Sequence, residues 1–181
     1  MAGNHLSNRD NWQSNASIVG SCGELSVGDV LTSLPDHIDV HTKQAPKIPV
    51  YSDGKGVVMD GVIFNDQDKT FTFVETKNGS AGTGNAHERA AKFLSNGLRS
   101  KMRESASNPK YLKTLSDWSG WDVTDYRPSE DLVFFFFTGI TFENKKNIEE
   151  LNILFEGYPV FNMSIDNPNK IAEKVKKRLD K

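Results

Sequence analysis

A mixed α/β fold, with a central β-sheet flanked by helices, is what this sequence predicts, and three observations predict it. The first is a pair of β signals over 56–64 and 70–76, split by Asn65, Asp66, Gln67, Asp68 and Lys69, which is turn chemistry and reads as a hairpin. The second is the apolar run from Leu132 to Phe137, with phenylalanine at every position from 134 to 137. An unbroken run of strand length reads as a strand covered on both faces, here over 131–142. The third is helical spacing. Ala86, Ala90, Phe93 and Gly97 make one stripe of a helix over 85–103, and Asn85, Glu88, Arg89 and Lys92 share another face. At the C-terminal end, Asp166 or Asn167 caps a helix with Pro168 near its first position, and Ile171, Val175 and Leu179 recur every fourth residue. The spans 151–155 and 160–165 read as further strands. The stretch 78–84 reads as a loop of small residues, and 107–130, with Pro109, Trp118, Gly120, Trp121 and Pro128, as an irregular connection.

A chain of 181 residues suffices for one domain with a proper core and is short for two, so residues 1–181 are expected to form a single domain. There is no internal repeat. The formal net charge is −2, so any surface that grips nucleic acid has to be a local patch of Lys and Arg. A lone Cys22 excludes an internal disulfide, and residues 1–14 lack the apolar stretch of a signal peptide, which together give a cytoplasmic expectation. No apolar run has the length to span a bilayer, so no membrane partner is expected.

The chemically informative residues begin with Asp60, followed fifteen residues later by Glu75, with Lys77 two positions further on. Residues two apart on a strand project from one face, so Glu75 and Lys77 point together, and the hairpin brings Asp60 beside them. Two carboxylates suit Mg²⁺, a hard cation that takes oxygen ligands and keeps several waters, leaving room for a phosphate oxygen and an attacking water. Lys77 would orient or deprotonate that water, or offset charge on the phosphorane. A solvated strand face with a cross-strand ion pair gives the same pattern. Against that alternative stand Val57, Val58, Ile63, Phe71, Phe73 and Val74, which flank the charges with core-like residues among which unpaired charge is costly.

A second constellation runs from Ala81 to Arg89. Side chains able to bond base edges lie at the start of a helix, after Gly82 and Gly84, which let a partner approach the backbone. Asn pairs bidentately with the N6 and N7 edge of adenine, Arg donates to purine N7, and Ala touches a thymine methyl, so an A·T-reading surface is one interpretation. The other is that Asn85 is an N-cap with Glu88 as its capping-box partner, which the Asn-x-x-Glu spacing allows. His87 has no Cys or second His at metal-ligand spacing, which speaks for a structural or phosphate-contacting part over a zinc ligand or a general base.

Taken together, Asp60, Glu75-Thr76-Lys77 and Gly84-Asn85-Ala86-His87-Glu88-Arg89 resemble the type II restriction endonucleases of the PD-(D/E)xK superfamily, in the branch typified by MunI and EcoRI. Both motifs in the right order are far more specific than either alone, and Ser7-Asn8-Arg9 and Asn11-Trp12-Gln13 extend the likeness to the N-terminus. The resemblance implies a restriction-endonuclease-like fold, a homodimer on palindromic double-stranded DNA, and a cognate DNA methyltransferase. It implies Mg²⁺ held by Asp60, Glu75 and the main-chain carbonyl of Thr76, with Lys77 on the attacking water. It also implies an AATT core read by Asn85, Ala86, Glu88 and Arg89, with Thr83, Gly84 and His87 in the same DNA-binding segment. Met59 stands where the superfamily name has Pro, and the link from Lys77 to Ser80 is shorter than in this branch. Where the branch carries an arginine suited to guanine, this chain has Thr83, whose short hydroxyl cannot make that bidentate contact. The site expected is therefore AATT itself, cut before the first A to leave a four-nucleotide 5′ overhang; Arg99, Lys101, Arg103 or the 107–130 connection would be alternative sources of outer readout. Glu24 is a candidate further acidic group near the metal.

Two other classes remain open on these residues. A repair nuclease or junction resolvase would share the acidic pair and the lysine but has no need of the 85–89 segment. A non-catalytic DNA-binding protein gains nothing from carboxylates that repel phosphates.

Overall fold

The computed structural model describes residues 34–79 and 86–180, of Ala86 and Arg89 the backbone alone, together with Val27 and Leu31. Strands β1 (Ile38–His41), β4 (Gly61–Asn65), β5 (Thr70–Asn78), β6 (Arg127–Thr138) and β7 (Val160–Asn162) form a five-stranded sheet in the order β1-β4-β5-β6-β7. β1, β4 and β5 are joined antiparallel, and β5, β6 and β7 are parallel, so the sheet is mixed. β2 (Ile48–Pro49) and β3 (Gly56–Val57) pair separately. The expected hairpin is β4–β5, with Phe64 opposite Phe71 and Gly61 opposite Val74, and the turn is tied by Asn65 Oδ1 accepting from the amides of Gln67 and Asp68.

Helices cover both faces of this sheet. On one face lie α1 (Ala86–Ala91), a short 3₁₀ turn (Lys92–Leu94), α2 (Asn96–Ala106), α3 (Pro109–Ser119) and α4 (Lys145–Leu154). Their Ala90, Phe93, Met102, Ala106, Tyr111, Leu115 and Leu151 pack on Phe71, Phe73, Phe135 and Phe137. On the other face α5 (Pro168–Leu179), with Val27 and Leu31, packs on Ile63, Val74, Phe134 and Phe136. The four phenylalanines thus alternate between two cores, as a strand covered on both sides requires. No helix among the described residues is long and apolar enough to cross a membrane.

Six expectations are corrected. The hairpin arm expected over 56–64 is divided, β3 pairing with β2 and only β4 with β5. The strand expected over 131–142 runs over Arg127–Thr138 and gives way at Gly139 to a 3₁₀ turn over Ile140–Glu143. The 85–103 helix is broken at Ser95 into α1, the Lys92–Leu94 turn and α2, and Gly97 is exposed, outside the buried stripe of Ala90 and Phe93. The 107–130 connection contains α3: Asn108 caps it by accepting from the Lys110 amide, Pro109 opens it, and Gly120, at φ +75°, closes it. Residues 151–155 are helical through Leu154, because Asn144 caps α4 and only Leu151 of that helix is fully buried. The strand expected over 160–165 ends at Asn162.

Candidate active site

The site lies where β4 and β5 part. Pairing between them ends at Gly61 opposite Val74, and Asp60 sits just beyond that last pair. The Asp60 amide still donates to Val74 O at 2.9 Å, while the Asp60 carboxylate accepts the Thr76 amide at 2.7 Å and so replaces the missing ladder bond. This bond fixes the carboxylate against β5. Val27, Leu31, Val40, His41 and Thr42 line a small hollow against Asp60 and Thr76. Gly61 is required at the bend, since a Cβ there would come within 2.5 Å of His41 O.

Strand alternation places Phe71, Phe73, Glu75 and Lys77 on one face and Val74 and Thr76 on the other, as the sequence spacing implies. Glu75 is only 4% exposed, and its carboxylate forms an ion pair with Lys77 Nζ. The same ammonium donates to Thr76 O at 3.1 Å. Burial pushes the Glu75 carboxyl above the usual carboxylate range; Lys77 pulls it back, Asp60 adds to the rise, and Lys92, at the start of the 3₁₀ turn, pulls it down. Ionised Glu75 is therefore a charge that needs a cation beside it.

The donor set suits a divalent metal. The Glu75 carboxylate and Thr76 carbonyl already share one cationic partner, and the Asp60 carboxylate meets Thr76 from the other side. All three are hard oxygen donors. No cluster of three or more His, Cys, Asp or Glu occurs among the described residues, so a metal at this position would take two carboxylates, a carbonyl and waters. A cleft of about 590 Å³ opens at the opposite end of β5 and is lined by Asp68, Thr70, Arg127, Asp131 and Arg178. It contains neither Asp60, Glu75 nor Lys77, and its mixed charges offer phosphate no consistent attraction.

The second constellation is described in part. Helix α1 begins at Ala86, immediately after Asn85, with exposed Glu88 in its first turn. His87 turns inward: it is 6% exposed, its Nε2 lies 3.7 Å from a Glu150 carboxylate oxygen, and its ring meets Phe142 edge-on. Thr83, Gly84, Asn85 and Glu24 lie outside the described residues, as do the side chains of Ala86 and Arg89. Sequence reasoning did not find Gly79, Gly139, Phe142 or Asn162, which surround the exit from β5. Only long-range contacts mark them, and no local motif does.

Comparison with known proteins bears on this segment. The family model described as Type II restriction enzyme MunI matches residues 51–122. A crystal structure of MunI restriction endonuclease in complex with cognate DNA aligns with a TM-score of 0.49 and 16% identity, over 79% of this chain and 81% of that one. No curated protein sequence matches. The matched span takes in Asp60, Glu75, Lys77 and the whole 83–89 segment, so the likeness to this family falls on the residues that carry the candidate site.

Proposed function

We propose that this chain is a divalent-metal-dependent type II restriction endonuclease that hydrolyses double-stranded DNA at AATT, with residues 1–181 acting as one catalytic and recognition domain. The observation that carries the reading is the junction of Asp60, Glu75, Thr76 O and Lys77 at the mouth of β4 and β5, one short link before the helix that opens with Ala86.

Asp60, Glu75 and the Thr76 carbonyl hold Mg²⁺, with Asp60 kept in place by the Thr76 amide. When bound, the cation supplies Lewis-acid stabilisation of charge building on the phosphate and lowers the pKa of a coordinated water. Lys77, projecting from the same strand face as Glu75, holds the attacking water at Nζ and offsets negative charge on the phosphorane. Asn85, Ala86, Glu88 and Arg89, with Thr83 and Gly84 in the same segment, engage the A·T core, while His87, expected among them, is buried against Phe142 and takes no part in base contact. Thr83 cannot supply a bidentate guanine contact, which leaves the recognition site at four base pairs. The protein works in the cytoplasm, beside a methyltransferase that protects the same sequence.

A digest of duplexes carrying AATT between random flanks, in Mg²⁺, tests this directly. Discrete cleavage with 5′-AATT ends and no flanking preference is expected; a fixed G·C or C·G pair outside the core would sink the four-base reading, and random degradation would point to a repair-type nuclease. Asp60→Ala, Glu75→Ala and Lys77→Ala should each lower cutting on the order of a hundredfold or more, since each removes a ligand or the water-positioning group. Retention of cutting within about tenfold would withdraw that residue's role. Ca²⁺, with looser geometry, should support binding without efficient cutting.

A further inference from the structure

The exit from β5 and the inward face of α1 meet one structural element, the 3₁₀ turn Ile140–Glu143 with the preceding Gly139. On the β5 side, the Gly79 amide donates to Thr138 O at 2.8 Å and Gly79 O accepts from the Thr141 amide at 3.0 Å. The fit is close enough that a Cβ on Gly79 would lie 2.6 Å from Thr141 Cβ and 2.8 Å from Phe142 Cε2. Gly139, at φ +97°, is required from the other side, since its Cβ would lie 2.5 Å from Asn78 Oδ1 and 2.6 Å from Gly79 O. On the α1 side, buried His87 meets the fully buried Phe142 edge-on, with Glu150 of α4 beyond it. Among the described residues His87 Nδ1 has no hydrogen-bond partner, so packing, more than hydrogen bonding, holds this ring.

The turn itself is tied to the sheet and to α4. Asn162, at the end of β7 and 7% exposed, donates from Nδ2 to Phe142 O at 2.9 Å; Asn147 Nδ2 donates to Thr141 O at 2.7 Å; Ser164 Oγ donates to Gly139 O at 3.1 Å. Three of its carbonyls are thus fixed by side chains from two places in the chain, α4 and the end of β7. A buried amide engaged in this way sets a single geometry, because any other would leave it unpaired.

We propose that the Gly139–Phe142 turn, fixed by Asn162, positions α1 relative to the catalytic strand, with Gly79 and His87 as its two points of contact, and so determines sequence discrimination without touching DNA. The proposal rests on the endonuclease reading for its functional half. Near-attack geometry tolerates little displacement, and a recognition helix that drifts from the catalytic strand lets near-cognate DNA reach the site on more equal terms.

Gly79→Ala and Phe142→Leu test it, with Ile153→Ser at an exposed position as control. For each purified protein, kcat/KM is measured on an AATT duplex and on one with a single core pair changed. The ratio is expected to fall about tenfold or more in both variants, with the near-cognate value within about threefold of the parent's. A variant that only folds poorly loses both rates together and keeps the ratio, which overturns the proposal, as does an unchanged ratio at full activity. Hydrogen exchange separates this from the endonuclease reading. Amides of α1 protected in the parent should exchange at least about tenfold faster in both variants while those of α5 do not change. Unaltered α1 exchange overturns the brace even if AATT cleavage is confirmed, and faster exchange upholds it even if the parent proves to cut elsewhere.

Discussion

Glu75, proposed as a metal ligand, works against its own fold. Its carboxylate is nearly sealed from water, and burial outweighs the help of Lys77, so the net effect holds its pKa above the ordinary range. A carboxyl with a raised folded pKa loses stability as pH rises from the unfolded pKa through the folded one, and above that the full cost remains, because the folded state then holds a charge the unfolded chain carries more cheaply. Glu75→Gln keeps the shape and an acceptor for Lys77 and removes the charge. The metal-free variant is therefore expected to melt at a higher temperature than the parent at neutral pH, with cleavage abolished. Mg²⁺ should raise the melting temperature of the parent and leave the variant unmoved, since only the parent has the ligand that favours the folded state. A variant less stable than the parent without metal would show that the Lys77 pair, not desolvation, dominates. The pairing of Glu75 with Lys77 was legible in the sequence because strand parity is local and periodic. The inward turn of His87 was not, because it depends on Phe142 and Glu150, more than fifty residues away in the chain.

Elements were legible where periodicity and length agreed and illegible where punctuation was read as a loop. The β4–β5 hairpin and the phenylalanine strand follow from alternation and from an unbroken apolar run. Helix α3 went unseen because Pro109 and Gly120 are the residues of connections; at the first and the closing position of a helix they are also its boundaries. Residues 151–155 looked like a strand because five apolar-rich residues fit either state, and only the Asn144 cap upstream decides it. Helix α5 follows from its spacing, and of the two cap candidates, Asp166 and Asn167, it is Asn167 that caps it. Asp166, just before that cap, adds a feature that can be tested. Burial alone would push its carboxyl up, but hydrogen bonds from Lys170, at 2.5 Å, and from Lys174 outweigh burial and hold it below the usual range. A depressed folded pKa contributes stability that is present above the unfolded value and lost as pH falls through the folded one. Asp166→Asn should therefore cost about 1 kcal/mol at pH 7, in the range for two half-exposed ion pairs. The gap from the parent should close progressively below about pH 4. A pH-independent difference would mean that Asp166 acts through packing alone.

At the scale of the whole molecule, the proposed endonuclease activity requires one trio per chain to serve two strands. Each chain has a single junction of Asp60, Glu75 and Lys77, and the described residues contain no second cluster of acidic or imidazole ligands that could act as another centre. A palindrome is its own two-fold image, so the economical solution is two copies related by that axis, each cutting one strand, with the stagger of the cuts set by the distance between the trios. The small excess of negative charge fits this arrangement, since affinity would come from a local basic surface doubled by symmetry. Co-expression of two differently tagged chains, one parent and one Lys77→Ala, with purification on both tags, isolates the mixed species. If the two-copy reading holds, that species nicks supercoiled AATT plasmid and accumulates the open circle, with linear product slower than for the parent by on the order of a hundredfold. Light scattering of the parent should give about twice the 20.2 kDa chain mass on an AATT duplex after subtraction of the DNA. Linearisation by the mixed species at the parental rate would show that one trio serves both strands in turn. A complex with one chain per duplex would exclude the symmetric dimer altogether.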